Sequence, residues 1–73
     1  MRRGLVAADP RVLPLGTRIR IRDAGSYSGE YLVADTGGGI NGFEIDIWME
    51  SRAEALRFGR RRVRVEVVRY GER

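Results

Sequence analysis

The chain contains no cysteine, no histidine and no lysine. Without cysteine there is neither a disulfide staple nor a thiolate metal site, and without histidine the usual zinc sites and every His-based catalytic dyad fall away as well. The missing lysine rules out a P-loop, whose lysine must reach a phosphate. Any proton transfer is left to carboxylates. No run approaches the roughly 18 apolar residues that a membrane span requires, and Met1-Arg2-Arg3-Gly4-Leu5 lacks the apolar stretch of a signal peptide, so these residues carry no membrane span and no export address. With 73 residues in total, a second domain has no room. A chain this short buries only about 60% of its unfolded surface, so the core must use nearly all of its five Leu, seven Val and five Ile.

What is abundant is arginine. All 14 basic residues are Arg, against 10 acidic ones, for a net charge of +4. Guanidinium forks suit phosphates and carboxylates, so nucleic acid, anionic lipid and acidic polymers all come into view. The arginines are, however, spread along strand-like segments rather than gathered in a block, and no nucleic-acid partner is expected.

The apolar period is two almost throughout. Leu5 to Ala8 is a short apolar run closed by Asp9-Pro10, a turn-forming pair. Thr17 to Arg22 alternates strictly, which predicts a strand with Ile19 and Ile21 facing a core and the arginines outward. Asp23 to Gly29 is a polar connection suited to a hairpin, and Glu30 to Ala34 reads as the next strand. Phe43 to Met49 is expected to be a strand with Phe43, Ile45, Ile47 and Met49 on one face and Glu44, Asp46 and Trp48 on the other. Ser51-Arg52-Ala53-Glu54 matches a capping box and opens a two-turn helix that ends at Gly59. A final strand carries Val63, Val65 and Val67. Five short strands, Gly-rich corners and one short helix describe a mostly β domain, and a closed or nearly closed barrel would leave the fewest edges.

Three aspartates sit where chemistry is plausible: Asp9 before Pro10, Asp35 before Thr36-Gly37-Gly38-Gly39, and Asp46 in mid-strand, where β propensity disfavours it. Trp48, two residues on, offers a stacking plate beside an acid, the arrangement of a sugar-binding cleft. Burial against that ring, with repulsion from Glu44, Asp35 or Asp9, is the expected means of lifting Asp46 toward neutrality. Other readings of the same residues are weaker. Asp35-Thr36-Gly37 is the aspartic protease signature, but one copy in so short a chain would require a dimer. Oxygen ligation of Mg²⁺ or Ca²⁺ lacks an EF-hand spacing, and no metal or cofactor is expected.

Together Gly4-Leu5-Val6-Ala7-Ala8-Asp9-Pro10, Val12-Leu13-Pro14-Leu15-Gly16-Thr17, Ala34-Asp35-Thr36-Gly37-Gly38 and Ile45-Asp46-Ile47 resemble the 3D domain family, named for its three aspartates. Ala53 to Gly59 and the closing valine strand are also similar to it, so the likeness runs from Gly4 to about Val67. The resemblance implies a small six-stranded double-psi β-barrel related to the catalytic domain of membrane-bound lytic transglycosylase A and to stationary-phase cell-wall proteins. It also implies an extracytoplasmic setting in the cell envelope and peptidoglycan glycan strands as the partner. The implied reaction cleaves between N-acetylmuramic acid and N-acetylglucosamine and leaves a 1,6-anhydro sugar, with Asp46 as acid and base and Asp9 and Asp35 in support. Trp48, Gly37, Gly38, Thr36 and Glu44 are the expected substrate-binding residues. Some family members carry the domain without demonstrated activity, which makes a silent wall-binding module the alternative.

Two departures from the family pattern matter. Asn41 stands where a basic residue is usual after the isoleucine that follows the glycines. Members also carry a β segment upstream of the first aspartate motif, whereas here residues 1–73 begin almost at it, which is the expectation for a partial barrel lacking its first strand. A fragment of a longer protein, a homodimer completing the barrel, or an incomplete cleft would each follow.

Overall fold

The computed structural model describes residues 3–36 and 39–71. Strands β1 (Leu5–Ala8), β2 (Arg18–Arg22), β3 (Gly29–Asp35) and β4 (Ile45–Ile47) precede helix α1 (Arg52–Phe58), and β5 (Arg64–Arg69) follows it. One 3₁₀ turn, Gly25–Tyr27, lies within the β2–β3 connection. The five strands form one mixed sheet in the order β4-β1-β3-β2-β5. Only β1 and β3 run parallel; the other three pairings are antiparallel.

The strict alternation of β2 does what its sequence demands. Ile19 and Ile21 are fully buried, and they join Val6, Ala8 and Val33 from β1 and β3 on a single face. Leu13 and Ala24 close that core from the connecting loops, and Tyr27 and Phe58 pack against it edge to face at 5.1 Å between ring centres. Each buried Ile or Val contributes about 1.5–3 kcal/mol, so this small set supplies most of the apolar driving force.

Two register shifts interrupt the ladders. Val6 faces Val33 but Ala7 faces Asp35, so Ala34 bulges from β3; Ile19 faces Val67 but Arg18 faces Arg69, so Val68 bulges from β5. A bulge re-aims the side chains beside it, and both of these act near charged residues.

The helix begins as expected, with the Ser51 hydroxyl accepting from the Glu54 N–H at 3.1 Å, and ends at Gly59, whose φ of 64° suits a residue without a Cβ. The return arm of the capping box differs from expectation. Glu54 Oε2 instead accepts from Arg3 at 3.4 Å, because an arginine brought in from the chain's start outcompetes a backbone amide for a carboxylate. The fourth strand is also shorter than the expected Phe43–Met49: only Ile45–Ile47 pair, and Phe43 is 98% exposed in the preceding loop rather than facing the core. The turn at Gly42, with φ 64°, breaks the alternation just before Phe43.

The sheet ends at β4 on one side and β5 on the other. Val65 and Val67 of β5 remain more than one-third exposed, as edge residues whose apolar face is half covered. Among the described residues no helix is long and apolar enough to cross a membrane.

Candidate functional site

Strand β1 is the centre of the site. It lies between β3 and β4, and Ala7 is the register partner of Asp35 on one side and of Asp46 on the other. With neighbouring strands ~4.8 Å apart, the two aspartate backbones stand about 10 Å apart across a single small, buried residue. The Ala34 bulge is what makes this possible, since an unbroken parallel register would bring Ala34 opposite Ala7. Both aspartates are exposed. Asp9 continues β1 two residues beyond Ala7, the spacing that returns a strand residue to the same face.

Asp9 itself is buried, at 2% exposure, and fully engaged. Its Oδ2 accepts from Arg11 Nη2 at 2.7 Å and from the Gly42 N–H at 2.8 Å, while Oδ1 accepts from the Arg11 N–H at 2.9 Å and from Arg11 Nε at 3.1 Å. The Arg11 guanidinium, then the Gly42 and Arg11 amides, hold the Asp9 carboxyl far below the usual carboxylate range, against the opposing effect of burial. Asp9 therefore stays an anion. Its carbonyl also accepts from the Val12 and Leu13 amides at 2.9 Å, which folds the Pro10 turn back on the strand. The effect is to tie the loop entering β4 to the end of β1, across 33 residues of sequence.

The remaining expected site residues divide. Trp48 is half-buried just past β4, and its backbone N–H donates to the Leu5 carbonyl at 3.0 Å, so the indole is carried on an extension of the β1–β4 ladder. Asp46 is exposed, which differs from the expected burial against Trp48: β4 is an edge strand, and nothing in the described structure covers its outer face at that point. Thr36 is exposed next to Asp35. Glu44 is exposed and faces Arg60 at 3.0 Å, so its charge is compensated within the loop rather than directed at Asp46. That pairing also brings a cation beside Asn41, whose carbonyl accepts from the Glu44 N–H at 3.3 Å. Gly37 and Gly38 lie outside the described residues. Among the described residues no group of three acidic side chains is close enough to hold a metal ion. Asp35 and Asp46 thus flank β1, and Asp9 is clamped at its end.

Sequence reasoning missed three contributors. Arg11 was one arginine among many, although Asp-Pro-Arg places a guanidinium within reach of the aspartate across a tight turn. Gly42 donates from a positive-φ position that only a glycine takes without strain. Phe43, next in sequence on the same loop, presents an almost fully exposed ring.

This combination, a mostly β domain with three aspartates gathered around one central strand, defines a class of domain. The family model described as the 3D domain matches residues 4–69, and the chain belongs to that family. It is 38% identical over 64 residues to the Cell wall-binding protein YocH of Bacillus subtilis (strain 168), covering 88% of this chain and 21% of that protein. It is 43% identical over 61 residues to the SPbeta prophage-derived uncharacterized protein YorM of the same organism, covering 84% of this chain and 25% of that protein. The chain thus spans about a quarter or less of these curated relatives. No solved structure matches it significantly.

Proposed function

We propose that this chain is a peptidoglycan-acting domain that cleaves the bond between N-acetylmuramic acid and N-acetylglucosamine by lytic transglycosylase chemistry, with Asp46 as acid and base. The observation that carries the reading is the register of Asp35 and Asp46 on either side of Ala7, with Asp9 clamped at the end of the same strand. Ala7 itself is buried, so a glycan bound here meets the exposed carboxylates of Asp35 and Asp46 on the two flanks of β1. Asp46 donates its proton to the glycosidic oxygen as the bond from C1 to that oxygen breaks. It then takes the proton of the sugar's own 6-hydroxyl as that oxygen bonds to C1, so no water is consumed and the carboxyl is regenerated. A second catalytic carboxylate of the hydrolase kind is unnecessary, because the nucleophile belongs to the substrate. Asp35 stabilises the positive charge developing at C1, Trp48 and Thr36 contact the sugars, and the Gly37 and Gly38 amides bind substrate oxygens.

The setting is the cell envelope, supported by the cell wall-binding relative. The sheet is the body of a six-stranded double-psi β-barrel, in which one more strand, from a longer chain or from a second copy, pairs along a free edge and covers Val65 and Val67. Digestion of purified sacculi followed by mass spectrometry tests the chemistry. Release of anhydro-muropeptides that falls at least ~100-fold in Asp46→Asn is expected; no release from the unsubstituted chain, or an unchanged yield from the variant, refutes it.

The exposure of Asp46 favours a second reading, a module that binds wall glycan without cutting it. That reading predicts co-sedimentation with sacculi, no released fragments, and about tenfold weaker binding for Trp48→Ala.

A further inference from the structure

The outward face of β2 and β5 balances its charges except at one place. Arg20 pairs with Glu30 at 2.9 Å, Arg22 with Glu66 at 2.6 Å, and Arg64 with Asp23 at 3.4 Å. Arg18 and Arg69, by contrast, stand directly opposite each other across the antiparallel ladder, and neither forms an ion pair among the described residues. Like charges facing each other across a strand pair destabilise it. The register makes the arrangement more pointed. Continued without interruption from Ile19, it would bring Val68 opposite Arg18, but the Val68 bulge brings Arg69 there instead. A local irregularity thus creates the repulsion rather than avoiding it.

The two arginines border a cavity of about 450 Å³ whose other walls are Leu15, Gly16, Tyr70 and Gly71. Leu15 and Tyr70 are half-exposed there. The floor is bare backbone: the Gly71 N–H donates to Thr17 Oγ1 at 3.0 Å, and a Cβ at position 71 would collide with the Leu15 carbonyl oxygen and lie 2.7 Å from the Thr17 nitrogen. Glycine is the residue that lets the chain just past β5 lie flat on the Leu15–Thr17 segment.

We propose that Arg18 and Arg69 form a two-arginine clamp for an oxyanion, a phosphate or carboxylate group carried on an organic moiety that rests against Tyr70 and Leu15. Two arginines at facing register positions border one depression, guanidinium forks suit such a group, and its negative charge removes the repulsion that the bulge sets up. The clamp is separate from Asp46. β1 and β3 stand between β4, which carries Asp46, and β2, which carries Arg18, so the clamp stands whether or not Asp46 performs chemistry. In a wall polymer the anion has two sources, a phosphodiester or the carboxylate of a muramic acid unit.

Titration of the isotopically labelled chain at low salt, followed by amide chemical shifts, tests the proposal. The probes are glycerol 3-phosphate, N-acetylmuramic acid, and uncharged N-acetylglucosamine as the control. Shifts at Gly16, Arg18, Arg69 and Gly71 are expected with at least one charged probe, and the one that binds tighter identifies the source. Arg18→Gln and Arg69→Gln should each weaken binding by about tenfold or more, whereas Arg52→Gln on the helix should not. Thermal unfolding supplies an independent readout: in dilute chloride Arg69→Gln melts above the unsubstituted chain, and glycerol 3-phosphate or N-acetylmuramic acid raises the midpoint only where both arginines are present. Equal binding of the uncharged sugar, equal weakening by Arg52→Gln, or failure of both charged probes to shift the named amides overturns the clamp.

Discussion

At the scale of single residues, the three aspartates of this domain are not equivalent. Asp35 and Asp46 are exposed on the flanks of Ala7, whereas the buried Asp9 carboxylate accepts five hydrogen bonds, four of them from Arg11. A carboxylate held in that way is a strut. Its folded-state pKa lies below the ordinary value of 3.8, so the unfolded chain binds that proton more readily than the folded one. The stabilisation is therefore complete above the unfolded value and is lost as the pH falls from about 4 toward the folded value. We expect the thermal midpoint of the unsubstituted chain to drop steeply below about pH 4, and Asp9→Asn to begin roughly 10 °C lower at neutral pH and to lose much of that steepness. Parallel curves for the two proteins would remove the strut. Salt separates Asp9 from its exposed counterpart: Glu66, made more acidic by Arg22, loses its contribution in ~1 M salt, whereas Asp9, buried although its Arg11 partner is exposed, and held also by the Gly42 and Arg11 amides, retains more of its own.

At the scale of elements, the strands and helix were largely legible and their junctions were not. The alternation of Thr17 to Arg22 and the apolar run of Leu5 to Ala8 are local patterns, and the structure forms β2 and β1 on them. The Ser51 cap is equally local, and Ser51→Ala should cost about 1 kcal/mol in chemical denaturation. Phe43 fails as a core residue because a glycine turn ahead of it cancels the period-two pattern, and periodicity alone carries no information about where pairing begins. The bulges at Ala34 and Val68 are further from reach. Each depends on a partner strand distant in sequence, yet one sets Asp35 beside Ala7 and the other sets Arg69 beside Arg18. The candidate site was thus readable as a list of residues and unreadable as a geometry. Gly71 shows the same limit: as an isolated glycine after a strand it signals nothing, but in the fold it lies on the Leu15–Thr17 backbone. Gly71→Ala should destabilise by about 1–3 kcal/mol, a backbone collision that no rotamer change relieves. A change within 0.5 kcal/mol in urea unfolding would show that the β5 end is not packed there.

At the scale of the whole molecule, stability is graded across the sheet, and the proposed chemistry sits at its weak side. The central strands β1, β3 and β2 hold Val6, Ala8, Val33, Ile19 and Ile21, the most buried side chains of the sheet. β4 is three residues long, pairs with β1 alone, and carries only half-buried isoleucines around Asp46. β5 is longer but exposed along its whole length. Local opening free energies follow burial and pairing, so the edges open far more often than the centre. Hydrogen exchange should therefore find the amides of Val6, Ile19, Ile21 and Val33 exchanging only through global unfolding, and those of β4 faster by about two orders of magnitude or more. The Gly42 tie to Asp9 is what limits that opening, because it fastens the loop entering β4 to the rigid end of β1. Two consequences distinguish this account from a uniformly rigid sheet. Asp9→Asn should accelerate exchange in β4 well beyond its effect on β2, and saturating glycan fragments should slow exchange in β4 while leaving β2 unchanged. If β4 exchanges as slowly as the central strands, Asp46 sits on a rigid platform and Asp9 has no positioning work to do.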